Sequence, residues 1–151
     1  MKIYENEIEK VNQIREQWRQ NDEKRDIGIK EEDVKSVLDI PYIILDKKEE
    51  ETCHLMDIYY PKEWNQATYP VIVSVHGGGW FYGDKELYRL YTKFLASKGF
   101  AVVNFNYRKS PEFNYPDAFL DVCYLMNHIQ KKACQYQFDL DRLYMVGDSA
   151  G

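Results

Sequence analysis

The sequence has no long hydrophobic run, no excess of base and no patterned cysteines. The N-terminus "MKIYENEIEK" offers no apolar h-region, and no stretch approaches the ~18 apolar residues of a membrane span, so neither a signal peptide nor a transmembrane segment is expected and the chain reads as cytoplasmic. Lysine and arginine total 20 against 25 aspartate and glutamate. The acidic excess lies wholly within residues 1–51, which hold 15 acidic and 10 basic side chains. With no basic patch and no basic aromatic stripe, nucleic acid and membrane surfaces are not expected partners. Cys53, Cys123 and Cys134 are odd in number, and neither a CxxC nor an HxxxH spacing occurs. That excludes a disulfide framework and leaves reduced thiols, no metal site and no cofactor as the expectation. Internal repeats and low-complexity tracts are also missing.

What is present is globular: 44% hydrophobic and 15% aromatic residues in a length suited to one domain. Tyr4, Ile8, Val11, Ile14 and Trp18 recur at helical spacing, and the charged "QNDEKRD" ends or loosens that helix. Val37–Leu45 and Leu55–Tyr60 read as strands joined by the charged turn "DKKEEE". "VIVSV" (Val71–Val75) and "FAVVNF" (Phe100–Phe105) are short continuous apolar runs, as in strands covered on both faces. Between them, Asp84 is suited to cap a helix that buries Leu87, Leu90, Tyr91, Phe94 and Leu95 and stops at Gly99. Pro116 opens a further helix with Phe119, Cys123, Met126, Ile129 and Ala133 on one face, and "RLYMVG" (Arg142–Gly147) is the last strand. Strand, helix, strand, helix, strand implies right-handed crossovers and an α/β fold with a mostly parallel sheet.

Two motifs follow strands. "HGGGW" (His76–Trp80) follows Val71–Val75; its glycines leave backbone N–H groups uncovered and free to aim at an oxygen that gains charge. Taken alone, the same glycines serve equally well to let a helix approach a sheet. "GDSAG" (Gly147–Gly151) follows Arg142–Val146 and is the pattern that holds a serine on a strained strand-to-helix turn. There Ser149 is the candidate nucleophile, and the N–H of Ala150 can complete an oxyanion hole. His54 and His128 sit in a strand and a helix and read as structural or surface residues. Asp148 adjoins Ser149, too close in sequence to act in a base–orienter chain. Trp80, Phe81 and Tyr82 can line an acyl pocket or pack the loop, the pocket being the preferred reading, and Arg108 and Asp121 read as a pair fixing the loop after the fourth strand.

In order, "LMDIYYP", "HGGGW", "NYRKSPEFNYPDAFLDV" and "GDSAG" make the stretch Val37–Gly151 resemble the hormone-sensitive-lipase-like branch of the α/β-hydrolase fold. That resemblance implies a small carboxylesterase with Ser149 as nucleophile. It also implies an oxyanion hole from the N–H of Ala150 and two of Gly77, Gly78 and Gly79, which two being open. His76 is implied to hold the glycine loop, and residues 1–36 to form a helical cap-like segment ahead of the hydrolase domain at 37–151. In this fold the acid and the histidine follow the serine in the chain, whereas all three histidines here precede Ser149. The expectation is therefore a truncated hydrolase, inactive and aggregation-prone by itself, whose intact form acts on small-molecule esters of short or medium acyl chains. Two other readings remain: an arylformamidase, since "HGGGW" also fits H-G-G-x-W, and a non-catalytic ligand-binding protein or pseudoenzyme.

Overall fold

The computed structural model describes residues 2–24, 28, 30–43 and 52–151, with side chains from residue 5 onward. Its elements are helix α1 (Lys2–Glu23), strands β1 (Lys35–Pro41), β2 (Leu55–Tyr60) and β3 (Tyr69–Val75), helix α2 (Arg89–Ser97), strand β4 (Ala101–Phe105), helix α3 (Asp117–Tyr136) and strand β5 (Phe138–Gly147). The strands form one sheet in the order β1-β2-β4-β3-β5. β3 pairs in parallel with β4 and β5, while β2 runs antiparallel to β1 and β4, so the sheet is mixed.

The period-two geometry of strands sorts the core into two sides. Val71, Val73, Ala101, Val103 and Phe105 turn toward Leu125 and Ile129 of α3. Ile72 and Val102, with Tyr59 of β2, turn toward Ala96 of α2. β3 and β4 are thus covered on both faces, as their continuous apolar runs anticipate, and the two helices lie on opposite sides.

Four expectations shift. α2 begins at Arg89; Asp84 does accept the Leu87 N–H at 2.9 Å, but in the turn before the helix. The side chains α2 buries are Thr92 and Ala96, whereas the larger apolar residues are half-buried. Small residues let the helix lie close to the sheet. On α3 the buried line is Asp121, Leu125 and Ile129, while Phe119 and Cys123 are exposed. Asp121 takes an inward position because it has buried partners there, and this rotates the apolar stripe. α1 continues through Glu23, and Ile14 and Trp18 stay 40% exposed. Its half-buried line is Ile8, Val11, Arg15, Arg19 and Asp22, apolar at the start and polar toward the rim, and Trp18 beside it rests on Phe81 and Tyr82. The strand drawn to Leu45 ends at Pro41, with Tyr42 and Ile43 in a bend, while the Tyr4 side chain, residues 44 and 45 and the "DKKEEE" turn lie outside the described residues.

Candidate active site

β3 and β5 are parallel neighbours, so their C-terminal ends carry the two glycine motifs side by side. At the end of β5 the Gly151 N–H donates to the Asp148 carbonyl at 2.8 Å, closing a tight turn with Ser149 at its crest. Ser149 has φ +55°, a conformation that L-residues with a side chain rarely hold. A Cβ on Gly151 would stand 2.2 Å from the Val75 carbonyl oxygen, so only glycine lets the turn close onto β3. The Ser149 side chain is exposed above it.

At the end of β3 the loop Gly77–Gly79 curls back, with the Gly78 carbonyl accepting from the N–H groups of Phe81 and Tyr82 at 3.1 and 2.9 Å. Gly78 has φ +121°, and a Cβ there would lie 2.1 Å from the Tyr82 carbonyl oxygen. Gly77 touches the other motif: a Cβ on it would lie 2.5 Å from the Asp148 carbonyl oxygen. The Gly77 N–H donates to the Tyr88 hydroxyl at 3.2 Å, and that hydroxyl donates to Asp148 Oδ2 at 2.6 Å. The amides of Gly78, Gly79 and Ala150 donate to no other described residue.

His76 anchors the loop from below. Its ring is fully buried and stacks on Tyr107 at 4.2 Å, and the Tyr107 hydroxyl donates to the His76 carbonyl at 2.8 Å. Nδ1 lies 2.8 Å from the Gly77 carbonyl oxygen, so Nδ1 carries the proton and donates. Nε2 is buried with no hydrogen-bond partner among the described residues. Burial, reinforced by Lys109, depresses the pKa to about 4 against the opposing pull of the Gly77 carbonyl, so the ring is neutral at pH 7.

The loop after β4 is pinned from α3, as the Arg108–Asp121 expectation has it. Asp121 accepts the Arg108 backbone N–H at 2.8 Å, Arg108 Nη2 at 2.7 Å and His54 Nε2 at 3.0 Å. Burial raises the Asp121 pKa, but the hydrogen bonds from His54 and Arg108 outweigh it and leave the carboxyl below its usual value. Above this pair lies a largely apolar cavity of about 520 Å³ bounded by Trp80, Tyr107, Phe113, Phe119, Met145 and Ala150. Trp80 lines this cavity. Phe81 and Tyr82 do not, because they pack against Trp18 of α1 at ring distances of 5.0 and 5.5 Å.

Helix α1 grips the rim of the glycine loop. Arg15 Nε donates to the Phe81 carbonyl at 2.6 Å, and its terminal nitrogens reach both carboxylate oxygens of Glu112 and the Ser110 carbonyl. Arg19 pairs with Asp84, and the Tyr82 hydroxyl donates to Asp22 at 2.8 Å. Among the predicted site residues, the fold brings Ser149 and Ala150 beside Gly77–Gly79. His54 and His128 are engaged elsewhere, with Asp121 and with the Tyr136 hydroxyl at 3.0 Å. Sequence reasoning passed over Tyr88 and Arg15, since a lone tyrosine in a turn and a lone arginine on a charged helix carry no motif. Among the described residues no cluster of His, Cys, Asp and Glu could hold a metal ion, and no helix is long and apolar enough to cross a membrane.

A family model described as BD-FAE matches residues 56–151. The chain belongs to the BD-FAE family. This BD-FAE chain has the hormone-sensitive-lipase-like α/β-hydrolase fold, in agreement with the resemblance carried by its motifs. Among curated proteins it is similar to an acetyl esterase of Salmonella paratyphi B, 28% identical over 95 residues that cover 62% of this chain and 28% of that protein. It is also similar to a probable isoprenylcysteine alpha-carbonyl methylesterase of Arabidopsis thaliana, 32% identical over 64% of this chain and 20% of that protein. Among solved structures, esterase B from Lactobacillus rhamnosis superposes with a TM-score of 0.86 at 32% identity, covering 100% of this chain and 47% of that one. The BD-FAE chain thus spans about half the length of that esterase and a smaller part of the curated relatives.

Proposed function

We propose that this polypeptide supplies the nucleophile and oxyanion hole of a serine hydrolase acting on carboxylic esters. The observation that carries the reading is Ser149, held at φ +55° on the turn after β5 and directly beside the glycine loop of β3. Ser149 Oγ attacks the ester carbonyl, the alcohol leaves, and water then cleaves the acyl-enzyme to return the serine and release the acid. The oxyanion donors are the amides of Gly78, Gly79 and Ala150; in support, the Gly77 amide is taken by Tyr88 while those three have no other described partner. Each such donor is worth about 2.7–4 kcal/mol in the transition state.

The proton of Ser149 needs a base, and His54, His76 and His128 each have partners elsewhere. The 151-residue polypeptide alone is therefore inactive. It is also aggregation-prone, because among the described residues β5 pairs only with β3 and leaves Tyr144 and Met145 about half exposed. The cavity beside Ala150, of about 520 Å³, fits a short or medium acyl chain. Kinship to esterases, one of them inhibited in its structure by a tributyrin phosphonate, supports small-molecule esters as substrates. Within the cap-like segment read at 1–36, helix α1 serves as the cap beside the hydrolase domain read at 37–151, a reading supported by the grip of Arg15 and Arg19 on the glycine-loop rim, while Lys35 and Ser36 already belong to β1.

The test assays the full-length protein and its Ser149→Ala variant on p-nitrophenyl acetate and butyrate, with N-formylkynurenine as comparison. Ester turnover abolished by Ser149→Ala is expected. Turnover of N-formylkynurenine alone would replace the esterase with an arylformamidase, and ligand binding without turnover of either would leave a non-catalytic protein.

A further inference from the structure

The Tyr88 hydroxyl stands between the two glycine motifs and is bonded to both. It accepts the Gly77 N–H at 3.2 Å and donates to Asp148 Oδ2 at 2.6 Å. The sequence gives no reason for it: Tyr88 is the residue just before α2, eleven positions beyond Gly77 and sixty before Asp148. Only the parallel pairing of β3 and β5 lets one phenol reach both.

We infer that Tyr88 is a positioning residue that sets the oxyanion donors relative to Ser149. The inference rests on Ser149 being the nucleophile. Three features of the link argue for it. Taking up the Gly77 amide fixes the peptide plane at the start of the loop and turns that donor from the substrate side, leaving the next two amides for the oxyanion. Holding Asp148 fixes the residue that precedes the strained Ser149. The polarity of the link is also constant: burial, then the bond to Asp148, pushes the phenol up to about 12, so at neutral pH it always has a proton for the carboxylate and a lone pair for the amide. Direct packing of Gly77 on the Asp148 carbonyl already brings the motifs together. The hydroxyl adds direction, which packing alone lacks, and misplacement of about 1 Å in such a constellation costs on the order of 10²-fold in rate.

The experiment uses Tyr88→Phe, Asp148→Ala and the double variant in the full-length protein. On p-nitrophenyl acetate, Tyr88→Phe is expected to lower kcat by about 10²-fold and leave KM within about threefold, the pattern of an interaction realised in the transition state. Asp148→Ala should fall similarly and the double variant no further, because one link is broken in each. In parallel, hydrogen exchange read by mass spectrometry should be faster for the peptide containing Gly77 in Tyr88→Phe and unchanged for peptides from β4. Unchanged kcat, or a loss carried by KM, would overturn the positioning role. Unchanged exchange at Gly77 would overturn the link itself, and that arm stands even if the protein turns over no ester, in which case the esterase reading fails separately.

Discussion

His76 makes the stability of this fold depend on pH between 7 and 4. Its ring has no exposed surface, stacks on Tyr107, donates from Nδ1 to the Gly77 carbonyl and, among the described residues, has nothing to accept a second proton at Nε2. Lys109, whose own pKa burial lowers, adds a nearby positive charge, and Asp84 only partly offsets it. The folded-state pKa is about 4 against an ordinary 6.5, so the unfolded chain binds the proton first as pH falls. The stability is fully present above about pH 6.5 and is lost progressively as pH drops toward 4. At ~1.36 kcal/mol per pH unit of differential protonation, lowering pH from 7 to 5 costs about 2 kcal/mol from this ring alone. The assay is urea unfolding of the full-length protein and of His76→Asn at pH 7 and pH 5. His128, whose pKa burial also lowers, loses stability in the same direction in both proteins, so it cancels in the comparison. The wild type is expected to lose about 2 kcal/mol more than the variant over that interval. Equal losses in the two would refute the reasoning, since the ring would then be hydrated or paired in the folded state.

Asp121→Ala leaves Arg108 and His54 facing an empty buried position and should cost about 3–5 kcal/mol, and Asp121→Asn less; thermal melts of the two check it. Gly77→Ala drives a Cβ to 2.5 Å from the Asp148 carbonyl, so it should cost about 1–3 kcal/mol by urea unfolding and lower kcat more than it raises KM. Arg15→Ala removes the bonds to Phe81, Ser110 and Glu112, and limited proteolysis should then cut α1 several-fold faster at unchanged rates for α3.

Runs such as "VIVSV" and "FAVVNF" carried enough apolar residues in a row to be recognised as buried strands, and the strand–helix alternation implied the crossovers. "HGGGW" and "GDSAG" were legible because tight turns beside a reacting atom demand glycine at fixed offsets, whatever the rest of the molecule does. Stripe directions on helices were less legible. The Asp121 carboxylate is an inward residue on α3 only because Arg108 and His54 arrive from elsewhere, and Arg15 faces the domain only because backbone carbonyls wait there. By itself the sequence determined the α/β class, the order of the motifs and the identity of the residues they contain. The tertiary structure alone decided that β3 and β5 lie side by side, that Tyr88 joins their ends, and that the Gly77 amide is taken while its two neighbours stay open. The bond from Tyr88 to Asp148 joins residues 60 positions apart, and hydrogen bonds over such separations are set by how the chain folds back on itself.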